Sequence, residues 1–321
     1  MARSSRFLAA CLALALATGA AAQFPERAVK LVVPQAPGSA TDTVARMLAP
    51  ELSKALGQPV VVENRPGGAL TIGIDAVAKA APDGYTIGMG PIGAMAITRH
   101  MVSRLPYDIE RDLQPIALVV RGHLLLAVSP SLPVHSVREL IDYARKNPGK
   151  LMNASSSNGS PGHVGGELFK YLTGTDIVHV PYKGGAMAIN DLIAGHVEVM
   201  FDSLNSISTF ARSGKVRALA VSGATRSAGF PLLPTIAEAG VPGYEAATWT
   251  GVIGPAGMPR AVVLRLNAAI NKAIAGPTFL ARFAQIGDEP AGGTPEDFAE
   301  TIRRDSAKWE EVVKRSGAKI D

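Results

Sequence analysis

The sequence predicts an α/β protein with largely parallel sheets, divided into two lobes, and three observations carry that prediction. Short runs rich in valine and isoleucine recur along the chain. Amphipathic stretches with helix-start signals alternate with them, as strands joined through helices require. The chain has 321 residues, and single hydrophobic cores stop growing near ~250–300 residues, so it is long enough for a second core.

The N-terminus reads as a separate segment. Arg3 and Arg6 precede an apolar stretch from Phe7 to Ala17, and Ala20, Ala21 and Ala22 follow it. That is the form of a secretory signal peptide (1–22) with an A-x-A cleavage site, placing the mature start at Gln23 and the protein in the periplasm. Leu8-Ala9-Ala10-Cys11 also fits a lipoprotein box, but the apolar segment before Cys11 falls short of the ~7–15 residues a signal uses. Cys11 is the only cysteine. Cleavage after Ala22 therefore leaves none, excluding disulfides, zinc-thiolate sites and a cysteine nucleophile. Loss of Arg3 and Arg6 takes two charges from a net +5, a balance mildly favourable to anions and too weak for nucleic acid. No later stretch approaches the ~18 apolar residues of a membrane span, so the mature protein is expected to be soluble; it is also expected to be a monomer and to bind no nucleic acid.

The first strands are Val29-Lys30-Leu31-Val32-Val33 and Val60-Val61-Val62. Between them a helix is expected to begin near Thr41, because Ser39-Ala40-Thr41-Asp42 has capping-box form and Val44, Met47, Leu48, Leu52 and Leu56 follow at helical spacing. Gly57 ends it. Ser136-Val137-Arg138-Glu139 repeats the capping pattern, and Asn147-Pro148-Gly149 stops that helix. Ser160-Pro161 and Thr294-Pro295 are two more starts, with a hydroxyl at the cap and proline at the first helical position. The last opens a terminal helix carrying Phe298, Ile302, Trp309 and Val313.

Several strand-to-helix turns carry binding chemistry. Ala36-Pro37-Gly38-Ser39-Ala40-Thr41-Asp42 exposes the free N–H groups of a helix start, which together with the helix dipole favour an anion. It also reads as an ordinary strand-to-helix connection. Ser155-Ser156-Ser157-Asn158-Gly159-Ser160-Pro161-Gly162-His163 gathers hydroxyls, an amide and glycines ahead of another helix, as a carboxylate site or a solvated loop would. Tyr182-Lys183-Gly184 adds a cation before a helix through Ile193. Asp202 ends the strand Val197-Glu198-Val199-Met200, and ligands of open α/β sheets gather at such strand ends.

Gly88-Met89-Gly90-Pro91-Ile92-Gly93 matches G-x-G-x-x-G, the form of a dinucleotide turn. The acids that follow, Asp108, Glu110 and Asp112, lie in a polar segment instead of ending a second buried strand. Gly90, Pro91, Ile92 and Gly93 are therefore expected as a glycine turn lining a cleft. There is no G-x-S-x-G, no H-E-x-x-H and no tight histidine pairing, so no catalytic residue, metal or cofactor is expected.

Ordered motifs extend over essentially the whole mature chain. They include Val32-Val33-Pro34 with Ala36-Pro37-Gly38, Glu63-Asn64-Arg65-Pro66-Gly67-Gly68, Pro82-Asp83-Gly84-Tyr85-Thr86 and Leu105-Pro106-Tyr107-Asp108. Gly166-Glu167-Leu168-Phe169, His179-Val180-Pro181-Tyr182-Lys183-Gly184, Val199-Met200-Phe201-Asp202, Pro231-Leu232-Leu233-Pro234-Thr235 and Gly243-Tyr244-Glu245 continue them. Together they resemble the periplasmic binding proteins of tripartite tricarboxylate transporters, the Bug family. The resemblance implies a type II periplasmic binding protein, or Venus flytrap, with a ligand cleft between one lobe of residues 23–123 plus 247–321 and another of residues 124–246. It also implies that the 36–42 turn holds a ligand carboxylate through backbone groups and ordered waters. The chain departs from the family pattern at Gln35, usually aromatic, and at Ser39, usually a second glycine. The resulting expectation is a solute-binding protein capturing a di- or tricarboxylate, acidic amino acid or aromatic acid for membrane transporter subunits. A sensor feeding a signalling receptor and a nucleotide-dependent oxidoreductase are the alternatives.

Overall fold

The computed structural model describes residues 24–320, so Cys11 and the cleavage site before Gln23 lie outside the described residues. It is a mixed α/β fold. β1 (Val29–Val33) is buried along nearly its whole length, which suits an unalternating apolar strand covered on both faces. α1 (Ala40–Leu56) follows, with the Ser39 hydroxyl accepting from the Asp42 N–H and Gly57 closing the helix at φ 73°. β2 (Val60–Asn64), α2 (Thr71–Ala78) and β3 (Thr86–Pro91) complete a parallel unit with β1 between β2 and β3.

A one-turn α3 (Ile109–Asp112) leads into β4 (Leu113–Val128), a single strand of 16 residues. Next come α4 (Val137–Lys146), β5 (Leu151–Ser155), α5 (Pro161–Thr173), β6 (Ile177–Pro181), α6 (Gly185–Ala194), β7 (Val199–Ser203), α7 (Leu204–Arg212) and β8 (Arg217–Val221). The chain returns through β9 (Ala247–Pro255), α8 (Arg260–Ile274), α9 (Pro277–Ile286), β10 (Glu289–Gly292) and α10 (Pro295–Ser316).

The described strands run in the order β2-β1-β3-β9-β4-β7-β5-β6, with β8 and β10 also pairing β4. β4 joins two sheets: Leu113 to His123 pair with β9, whereas Leu124 to Val128 pair with β7. One sheet therefore collects β1, β2, β3, β9 and β10, and the other β5, β6, β7 and β8.

Each sheet buries its own apolar cluster. Leu31, Leu48, Leu52, Val252 and Ile270 fill one, and Leu125, Ile189, Leu192, Met200 and Leu204 fill another. A third cluster runs from Leu118 and Trp249 through Leu124 to Phe169, Phe201 and Tyr244, and includes Phe298, Ile302, Trp309 and Val313 of α10. The expected caps are formed: Ser136, Ser160 and Thr294 accept from the N–H groups of Glu139, His163 and Asp297.

The 88–93 glycines differ from expectation. Gly88 and Gly90 lie inside β3, not in a turn. A Cβ on Gly88 would stand 2.5 Å from Val77 Cγ2, so this glycine lets α2 settle on the sheet. Gly93 opens a short π-helix, Gly93–Ile97. These backbone amides are spent on sheet pairing, so the segment is no phosphate cradle.

Candidate ligand cleft

The turns at the strand ends of the two sheets face one another across a cleft. From the first sheet Gln35, Ser39, Ala40 and Thr41 line it at the start of α1, with Pro91 at the end of β3. From the second come Ser156, then Pro161 and Gly162 at the start of α5, Gly185 at the start of α6, and Asn205 and Ser206 at the start of α7. Four helix N-termini thus meet one space. Ser39 and Ser160 cap α1 and α5 with their side chains, while α6 and α7 have no side-chain cap. Uncapped first-turn N–H groups and aligned dipoles are what an anion needs.

The 36–42 turn is braced from behind. Asp42 is buried, and its carboxylate accepts from the Gly38 N–H at 2.9 Å, Arg46 Nε at 2.9 Å and Asn64 Nδ2 at 2.8 Å. Burial alone would raise the Asp42 carboxyl, but these hydrogen bonds outweigh it and hold it below its ordinary value. Asn64 Nδ2 also donates to the Gln35 carbonyl at 2.9 Å. Asp42 is therefore a strut of the turn and does not line the cleft, nor do Pro37 and Gly38.

Asp202, at the end of β7, does line it. It is buried, accepts from the Ser206 hydroxyl at 2.5 Å, and packs closely on Gly185, where a Cβ would stand 3.0 Å from Oδ2. Burial raises its carboxyl to about 6, against the lowering hydrogen bonds of Ser206 and the Ser203 backbone.

Ala36, Ser157, Asn158, Tyr182, Lys183 and Gly184 stand together in an adjoining outer pocket that shares Gln35, Leu70 and Ser156 with the cleft. Tyr182 there donates to Asp191 Oδ2 at 2.6 Å. Ser155 and His163 lie beneath the loop. The Ser155 hydroxyl is 2.7 Å from His179 Nε2, and the His163 ring stacks on His179 at 3.7 Å while its Nδ1 accepts from the Gly159 N–H. Gly90, Ile92 and Gly93 are buried and do not line the cleft.

The strand side of the cleft is where sequence reasoning missed most. Val120 and Gly122 of β4, Thr248, Trp249 and Thr250 of β9, and Asp288 complete the lining. Asn205 and Ser206 follow Asp202 in the same turn and could have been found by the same strand-end logic. Asp288 had no such signal, because the short β10 beside it carries no alternation. No Lys, Arg or His is among the residues lining the cleft. No cluster of His, Cys, Asp and Glu that could hold a metal occurs among the described residues.

The model of the tripartite tricarboxylate transporter family receptor matches residues 44–318. The chain belongs to this receptor family. Protein BugT of Bordetella pertussis is 37% identical over 298 residues, covering 92% of this chain and 91% of that protein. Among solved structures, R. palustris Rpa4515 with adipate superposes with a TM-score of 0.89 at 41% identity, over 92% of this chain and 100% of that one. MatC (Rpa3494) from Rhodopseudomonas palustris with bound malate gives 0.87 at 33% identity, over 90% and 100%. This is a family of solute-binding receptors, not of enzymes, which removes the oxidoreductase reading of the 88–93 glycines.

Proposed function

We propose that the protein is an exported solute receptor that captures a small organic carboxylate and presents it to a tripartite tricarboxylate-type transporter. The observation that carries the proposal is the meeting of four helix N-termini, two of them uncapped, in one cleft without basic side chains. Such a site recognises a carboxylate through backbone N–H groups and hydroxyls. Adipate and malate in two related structures support the same ligand chemistry.

In this reading the sheets are two lobes, residues 23–123 plus 247–321 and residues 124–246, hinged where β4 changes partners. The 36–42 and 155–163 turns take the carboxylate, while Lys183 and Asp202 fix the remainder of the ligand or the cleft mouth. Ligand bridges both lobes only when they close, so its differential affinity drives closure.

Thermal unfolding with a panel of di- and tricarboxylates, acidic amino acids and aromatic acids tests this. A ligand at 100 times its Kd stabilises by ~2.7 kcal/mol if it binds only the folded chain. At least one member is expected to raise the unfolding temperature, and a flat response across the panel would sink the proposal.

A further inference from the structure

We propose that a groove formed by α7, β8 and the 229–233 turn docks an acidic, apolar segment of the transporter's membrane subunits. This rests on the transporter reading above and names the surface through which the receptor meets its partner.

The groove encloses about 580 Å³ and shares no residue with the ligand cleft or its outer pocket. Arg212 ends α7, Arg217 begins β8, and Pro130 and the 229–233 turn complete the walls. Leu232 on that turn is 92% exposed, the most exposed large apolar side chain among the described residues, with Met187 next at 56%. A lone apolar side chain in water is ordinary. This one lines the same groove as Phe230 and Pro231, and a contiguous apolar patch of that kind marks an interaction surface.

The turn is built to hold the side chain out. The Leu233 N–H donates to the Phe230 carbonyl at 3.0 Å, closing a four-residue turn with Pro231 at its second position, where the ring-fixed φ suits the backbone. Behind it the Val221 N–H donates to the Pro234 carbonyl at 3.0 Å, tying the loop to β8. Leu232 is thus carried on backbone that is already ordered, so little entropy is lost when a partner covers it.

The charges of the groove have one sign. Arg212 and Arg217 line it with no Asp or Glu beside them. Arg212 lies 5.0 Å over the Phe230 ring and donates to the Gly229 carbonyl at 2.9 Å. Arg217 donates to the carbonyls of Leu132 at 2.7 Å, Val134 at 3.0 Å and Pro130 at 3.2 Å. Carbonyls fix both guanidiniums without neutralising them, and Lys215 is exposed between α7 and β8. Cations held beside apolar walls select a segment in which carboxylates stand next to apolar side chains. A flat bilayer cannot follow a concave wall, which leaves a protein segment as the occupant.

Peptides tiled over the extracytoplasmic loops of the source organism's tripartite tricarboxylate transporter subunits, titrated against the purified protein by fluorescence anisotropy, test the groove. Those joining Asp or Glu to large apolar residues are expected to bind, and exchanging their acids for Lys should cost at least tenfold. Leu232→Glu puts a carboxylate on the turn and should weaken them at least tenfold, while Leu232→Met stays within threefold. The side chain lies in water, so both variants should unfold at the native temperature and keep the native response to carboxylates.

No binding by any acidic, apolar peptide, or equal binding by the native protein and Leu232→Glu, would overturn the docking site. A native dimer in sedimentation velocity that Leu232→Glu dissociates would overturn it by assigning the groove to a second copy. Flotation with phosphatidylglycerol vesicles that Leu232→Glu abolishes would do so by assigning it to the membrane. A flat carboxylate panel beside peptide binding would remove the ligand reading and leave the docking site, so the two fail separately.

Discussion

At the residue scale, the His163–His179 stack sets the response to acid. Burial pushes His163 down to about 3, helped by the charges of His179 and Lys170, and pushes His179 down to about 4. Both rings are neutral in the folded chain and take a proton once unfolded, where the ordinary value is 6.5. The stability they allow is full above pH 6.5 and falls as pH drops from there towards 4, by up to ~1.4 kcal/mol per pH unit for each ring. Urea midpoints across pH 4–7 should follow that slope, and His179→Gln should flatten it; an unchanged slope would exclude the pair as its source. These histidines show how far a residue's role was legible. His163 stood out in sequence beside a glycine-rich helix start, but nothing in the spacing revealed that His179, 16 positions on in sequence, lies against its ring and draws it under the loop.

At the element scale, the helices were the most legible part, because their caps are local chemistry. Ser39, Ser136, Ser160 and Thr294 mark four starts in sequence and accept the expected N–H groups in the structure. The Ser39 hydroxyl accepts from the Asp42 N–H at 3.2 Å. Ser39→Ala should therefore cost ~1 kcal/mol and Ser39→Gly only a few tenths, measured by urea unfolding. A Ser39→Ala variant as stable as the native chain would mean that the hydroxyl contributes nothing at the cap. β3 and β10 were less legible for a tertiary reason. Gly88 and Gly90 look like turn residues until α2 is packed on the first and Ile253 and Met95 on the second, and β10 is a strand because β4 presents an edge to it. The same non-local pairing brings Trp249 and Asp288 to the cleft, so that wall could not be read from local motifs.

At the scale of the whole molecule, the two proposed lobes meet at small residues in the segments that follow β3 and precede α5. A Cβ on Gly93 would stand 2.8 Å from the Gly159 carbonyl, and one on Gly159 would stand 2.6 Å from Thr98 Oγ1. Gly93→Val should hold the lobes apart. Small-angle scattering is expected to show a larger radius of gyration for the variant in the presence of a ligand that contracts the native protein. Its affinity for that ligand should fall at least tenfold. A variant that contracts and binds like the native chain would show that this contact does not limit closure.

The shared strand β4 has a consequence for how the protein comes into being. The sheet containing β5 to β8 is built from one continuous stretch of chain, whereas the sheet begun by β1, β2 and β3 waits for β9 and β10 from the far end. During synthesis the edge of β3 therefore stays unpaired until residues beyond 247 have emerged, and such distant pairings form slowly. On the export proposed above, that delay would help the chain to thread through a membrane, because the sheet begun by β1, β2 and β3 stays open until its trailing strands arrive.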